Sequence, residues 1–163
     1  MPGDNSYLFD FANVVFSRDG KTGFVADVQN KVYAFDGDNG TLLGSREVGD
    51  FPAGLSLFES ATGERRIAVS AGSLGQKTTV TVLDGSNPRE LKPLSTIVVD
   101  KDIMFALDNL PLFSADGETL YLGASFSNEL LTINIKKAEI VGRVGGITAA
   151  QIVPFEQKGK PAF

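Results

Sequence analysis

Residues 16–27 read FSRDGKTGFVAD and residues 113–124 read FSADGETLYLGA; set side by side without gaps, they share Phe, Ser, Asp, Gly and Thr, five positions of twelve, at an offset of 97 residues. Chance supplies fewer than one such match, so the chain repeats itself. A weaker pair keeps the same offset: FESATGER begins at Phe58 and FEQKGKPAF at Phe155. Four related signatures therefore start at Phe16, Phe58, Phe113 and Phe155, 42 to 55 residues apart. Each opens with an apolar residue, passes through small and polar residues, and in the stronger pair turns at Asp-Gly, the dipeptide that supplies tight hairpins with the backbone conformation they need.

Between these signatures the apolar runs are short, rich in Val, Ile, Leu and Phe, and bounded by Gly, Asp, Asn or Pro, which predicts strands and not helices. Examples are Asn13–Phe16, Gly23–Val28, Val32–Phe35, Thr41–Val48, Arg66–Ser70, Thr78–Leu83, Thr119–Gly123 and Leu130–Ile135. Asp19-Gly20, Asp36-Gly37, Asn39-Gly40, Asp84-Gly85 and Asp116-Gly117 are the expected turns, so consecutive strands should pair antiparallel in a meander. Four strands per repeat of this length is the period of a propeller blade. The fold expected is all-β, with about three and a half blades of four antiparallel strands. Their bounds fall at about residues 12–49, 53–99 and 108–145, with a partial blade at 150–163, in one domain.

The first repeat runs Ser17-Arg18-Asp19-Gly20, Phe24-Val25-Ala26-Asp27, Val32-Tyr33-Ala34-Phe35-Asp36 and Val48-Gly49-Asp50-Phe51-Pro52-Ala53-Gly54. The third runs Ser114-Ala115-Asp116-Gly117, Tyr121-Leu122-Gly123-Ala124, Leu130-Leu131-Thr132-Ile133-Asn134 and Val144-Gly145. The second is degenerate, keeping Ile67-Ala68-Val69-Ser70 and Val80-Thr81-Val82-Leu83-Asp84 around a longer loop. This series resembles the YVTN-type β-propeller repeat, found in lactonase-like and surface-layer-type propellers, over about residues 12–155. The resemblance implies a propeller whose ring is incomplete, and an extracytoplasmic, periplasmic or secreted, location. Phe163 aligns with Phe24 and Tyr121, so the fourth blade is expected to stop in mid-strand, which leaves two alternatives: a piece cut from a longer propeller, or a natural half completed by self-association as a homodimer or larger assembly.

Composition narrows the chemistry. The chain of 163 residues has no His and no Cys, which removes Ser-His-Asp and Cys-His catalysis, thiolate chemistry, and His- or Cys-ligated metal. A net charge of −5, with no basic cluster beyond Arg65-Arg66 and Lys136-Lys137, argues against nucleic-acid or anionic-membrane partners. No apolar run approaches the length of a spanning helix. The start MPGDNSYLFDF has no basic region followed by a long apolar stretch, which leaves a cytoplasmic protein or one whose leader has been removed as alternatives.

Several constellations have a plain structural reading. Asp36, Asp38 and Glu47 are spaced somewhat like a calcium loop, but Gly40 and Thr41 stand where that loop needs a ligand and a glycine, and a hairpin turn explains the segment. Asp19 and Asp116 occupy equivalent turns and are read as turn formers. The glycines of 72–75 and 142–146 do not open a helix, so they are not phosphate cradles. By analogy with propellers, ligands bind where the fourth strand of one blade leads to the first of the next and where the second joins the third. Those loops place Asp27, Asn30, Asp50, Phe51, Asp102, Asn128 and Glu129 as the candidate binding residues. The function expected is a non-catalytic repeat module for a protein or small-molecule ligand, with no catalytic residue, metal or cofactor assigned. The alternative is a lactonase-like hydrolase using a divalent cation and carboxylates drawn from Asp27, Asp50, Asp100, Asp102 and Glu129.

Overall fold

A computed structural model describes residues 14–27, 29–72, 77–99, 110–124, 128–147, 156–157 and 160–161. Its regular elements are strands: β1 (Val14–Phe16), β2 (Thr22–Ala26), β3 (Lys31–Asp36), β4 (Leu42–Glu47), β5 (Pro52–Glu59), β6 (Arg65–Ala71) and β7 (Thr79–Asp84). They continue as β8 (Lys92–Val98), β9 (Leu112–Phe113), β10 (Thr119–Ala124), β11 (Glu129–Asn134), β12 (Glu139–Gly145), β13 (Glu156–Gln157) and β14 (Lys160–Pro161). Three antiparallel sheets of four strands follow in chain order, β1–β4, β5–β8 and β9–β12, and β13 pairs with β14 in a hairpin. All-β, in four-stranded meanders, is what the repeat predicts.

The pairing explains why the alternating pattern fades in the middle of the chain. Strand β6, RRIAVSA, is buried along most of its length because both faces of its sheet are covered. Ile67 and Val69 point into one core with Phe24, Ala26, Val32 and Ala34 of the first sheet. Ala68, with Val80, Val82 and Ile97, points the other way and packs on Leu120, Leu122, Leu131 and Ile133 of the third. Fully burying one such aliphatic or aromatic side chain stabilises by about 1.5–3 kcal/mol, so these two seams hold the sheets together. The first strands of the three sheets lie beside one another, β1 against β5 and β5 against β9, and the sheets fan outward from that line.

Each sheet also carries a one-residue irregularity at the same place, between its third and fourth strands: at Ala34/Phe35, Val82/Leu83 and Thr132/Ile133. The extra residue re-aims the outer strand and adds twist. Its recurrence aligns the three sheets residue by residue, including the middle one, whose repeat is weakest in sequence.

The turns are built locally. Ser17 Oγ donates to Asp19 Oδ1 at 2.6 Å, and the Lys21 and Thr22 amides donate to Asp19 Oδ1 and Ser17 Oγ. Ser114, Asp116, Glu118 and Thr119 reproduce the arrangement, with Ser114 Oγ donating to Asp116 Oδ1 at 2.6 Å. In the middle sheet Ser60 and Thr62 take these roles in a shorter turn. Asp36 closes the β3–β4 hairpin, accepting from the amides of Asp38 and Asn39, which accounts for the calcium-like spacing. One turn expectation differs in its cause. Gly20, Gly40 and Gly117 have φ of 72°, 74° and 72°, as Asp-Gly and Asn-Gly turns require, whereas Gly37 and Gly85 are not among the left-handed residues. At position 37 the demand is space, because a Cβ there would run into the Gly20 carbonyl.

Candidate functional site

The loops expected to bind a ligand lie at the end of the sheets away from the Ser-x-Asp-Gly turns. Asp27 follows β2, and its Oδ1 accepts from the amides of Gln29 (3.1 Å), Asn30 (2.9 Å) and Lys31 (2.8 Å), while Tyr33 Oη donates to Oδ2 at 3.1 Å. Partial burial raises the carboxyl's pKa, but the three amides and the phenol outweigh it and hold Asp27 below the usual carboxylate range. The same contact lifts the Tyr33 phenol above its ordinary value. Asp27 is thus a negative charge spent on folding its own loop, as Asp side chains are in such turns.

That loop is tied to the next. The Asn30 carbonyl accepts from Val48 N–H at 2.9 Å, and the Gln29 carbonyl accepts from Phe51 N–H at 3.3 Å. The Phe51 carbonyl in turn accepts from Gly72 N–H, at 3.4 Å, on the corresponding loop of the middle sheet. A chain of backbone bonds therefore runs along the rim from the first sheet to the second, and it brings Asp27, Asn30, Asp50 and Phe51 together. Phe51 stands out: its φ is 51°, a left-handed conformation that a bulky residue rarely adopts, and the residue is 49% exposed. An aromatic group in solvent on a strained backbone contributes nothing evident to the core; such outliers gather at recognition sites. Asp50 beside it is exposed.

Asn128 and Glu129 take up the equivalent β10–β11 loop in the third sheet. Asn128 also has positive φ, 51°, and its carbonyl accepts from Ile147 N–H at 3.1 Å. Glu129 Oε2 pairs with Arg143 Nη1 at 3.4 Å, across β11–β12. Asp102 lies outside the described residues, as do Asp100, Lys101, Gln76 and Phe126. Among the described residues no three acidic side chains converge on one point.

A second concavity lies where the first strands meet. Phe16, Arg18, Leu55, Leu57, Glu59 and Leu112 help to line a space of about 530 Å³ there. Its polar lip is partly committed, since the Arg18 amide donates to Glu59 Oε2 at 2.7 Å and the Arg18 guanidinium to the Glu59 carbonyl at 3.2 Å. The crevice went unseen in the sequence because it depends on three strands far apart in the chain.

The tandem arginines do not form one patch. Side chains alternate along a strand, so Arg65 and Arg66 leave β6 on opposite faces. Arg65 Nη2 reaches Asp19 Oδ1 at 3.7 Å in the first sheet. Arg66 Nη1 donates to the Gly117 carbonyl at 2.7 Å and to Glu118 Oε1 at 3.0 Å in the third. The parity of their positions was the available signal.

No family model matches the chain, and no curated protein does. Solved structures do. The crystal structure of BamB from Moraxella catarrhalis is 14% identical with a TM-score of 0.58, covering 82% of this chain and 36% of its own. A putative 6-phosphogluconolactonase from Bacteroides fragilis is 14% identical with a TM-score of 0.61, covering 83% and 39%. The β-propeller domain of Cps50 (Swd1) from Myceliophteria thermophila is 15% identical with a TM-score of 0.62, covering 82% and 40%. The chain spans well under half the length of these proteins. At such identities the likeness establishes the fold: three blades of a β-propeller.

Proposed function

We propose that this chain is a non-catalytic β-propeller repeat module of the YVTN type that binds a protein or small-molecule ligand on the rim holding Asn30, Asp50 and Phe51, and that associates with a second copy of itself. The observation that carries the binding reading is Phe51: an exposed aromatic ring on a left-handed backbone, fastened by hydrogen bonds to the loops on either side. Rigid aromatic anchors flanked by polar groups are the usual centres of recognition surfaces. A protein named as a putative 6-phosphogluconolactonase shares this fold, and a fold by itself does not choose between a binding module and an enzyme.

Peptides selected from a random library on the immobilised protein provide the test. The Phe51→Gly variant removes the ring and also relieves the backbone, since glycine adopts positive φ freely. It is expected to keep or raise the melting temperature while losing the selected peptides. Binders that survive Phe51→Gly and Asp50→Ala together would show that the rim is not the site. A titration with calcium and with magnesium separates the hydrolase alternative, because a metal held only by the folded state at 100 times its Kd stabilises by about 2.7 kcal/mol; the binding module shows no such rise.

A further inference from the structure

The hydrogen-bond register assigns every blade two faces. One runs through the row Val15–Phe24–Ala34–Gly44 in the first sheet, Ser56–Ala68–Val82–Ser95 in the second and Leu112–Tyr121–Thr132–Gly142 in the third. The other runs through Phe16–Gly23–Phe35–Leu42, Leu57–Ile67–Leu83–Pro93 and Phe113–Leu120–Ile133–Ile140. At both internal seams the first kind of face meets the second. Phe24 and Ala34 meet Ile67 and Leu83, and Ala68 and Val82 meet Leu120 and Ile133.

Among the described residues one face of each kind is left over, and neither belongs to a core cluster. The first sheet turns outward the row whose counterparts in the third sheet form a buried seam. Phe16 is 51% exposed and Leu42 61% exposed, and Phe16 is stacked edge-on against Phe35 with centroids 5.6 Å apart. The third sheet turns outward the row whose counterparts in the first are buried, flanked by Val144, 51% exposed. These two surfaces are of opposite kind, so each matches the other and not itself.

We infer that the outward face of the first sheet binds the outward face of the third sheet of a second copy, head to tail. This rests on the self-association proposed above and adds its geometry. The occupant is argued from the molecule itself: the two internal seams show which face a given face accepts, and one chain presents both partners of a further seam of that kind. Because the contact is heterologous, it propagates around a ring in which every copy contributes each face once.

Phe16→Asp and, on a less buried position, Leu42→Asp disable the first face; Val144→Asp disables the second; Val98→Asp, exposed on the outer strand β8 of the middle sheet, is the control. Light scattering coupled to size exclusion at micromolar concentration reads the assembly, and melting curves confirm folding. The wild type and Val98→Asp are expected to associate, and each face variant alone to weaken association by about 100-fold or more, as burying an unpaired charge does. An equimolar mixture of Leu42→Asp and Val144→Asp should form a 1:1 complex, since each supplies the face the other lacks. A monomeric wild type overturns self-association altogether. An oligomer broken by Leu42→Asp but not by Val144→Asp, or a mixture that fails to combine, keeps self-association and overturns the head-to-tail geometry.

Discussion

Replacing Gly117 by Ala and Gly20 by Ala is the same chemical change in the same turn, yet the structure makes the two unequal. Both glycines have φ of 72°. An alanine in that left-handed conformation costs about 1–2 kcal/mol, less a few tenths to about 1 kcal/mol recovered from the stiffer unfolded chain, and this part is common to both. A Cβ on Gly20 meets nothing within 4 Å, whereas one on Gly117 lands 2.6 Å, 2.7 Å and 2.8 Å from three ring carbons of Phe58. Phe58 cannot swing aside freely, because its ring lies against Phe113 with centroids 5.8 Å apart. Overpacking of this kind costs about 1–3 kcal/mol more. For a chain of this size each kcal/mol moves the melting temperature by about 2–4 °C. Gly117→Ala should therefore melt about 2–12 °C below Gly20→Ala, and urea unfolding should give the same difference in free energy. Adding Phe58→Leu should restore part of the Gly117→Ala loss, beyond additivity. Equal losses in the two single variants would refute the packing of the third blade's turn against the second blade's inner strand.

Arg66→Ala removes charge-assisted bonds to Gly117 and Glu118 of the third sheet and to Glu64 beside its own strand, with the guanidinium mostly covered and its acidic partners half exposed, and should cost about 1–2 kcal/mol by urea unfolding. The exposed pair Lys137–Glu139 serves as the contrast, and Lys137→Ala should cost close to nothing. Asp27 and Asp116 are held below their ordinary value of 3.8, so their contribution is present above that pH and is lost as pH falls through the lower folded values. With no His or Cys to titrate, the melting temperature should stay flat from about pH 5 to 8 and fall below about pH 4, with a shallower fall in Asp27→Asn; a transition centred between pH 6 and 7 would contradict this.

The strands, the hairpins and the repeat were legible in the chain alone because their causes are local. Ser17 and Asp19, or Ser114 and Asp116, meet two residues apart, and Asp-Gly sets its own backbone, so no distant contact is needed to predict a meander of four-stranded units. The absence of His and Cys likewise restricts chemistry wherever the chain folds. What the tertiary structure decided depends on which face of which strand meets which neighbour. Asp27 read as a ligand-binding carboxylate, and only the folded loop shows its charge shared among three amides and a phenol. Phe51 runs against its own backbone preference, so nothing in its neighbours along the chain predicts a left-handed conformation; the bonds to Gln29 and Gly72 accompany it across the rim. Arg65 and Arg66 looked like one basic pair, and strand parity sends them to opposite neighbours, 46 residues back to Asp19 and 51 residues on to Gly117. Apolar strand residues are buried at β6 and half bare at β1 and β12, because burial is set by stacking between sheets, which joins residues too far apart for local patterns to record.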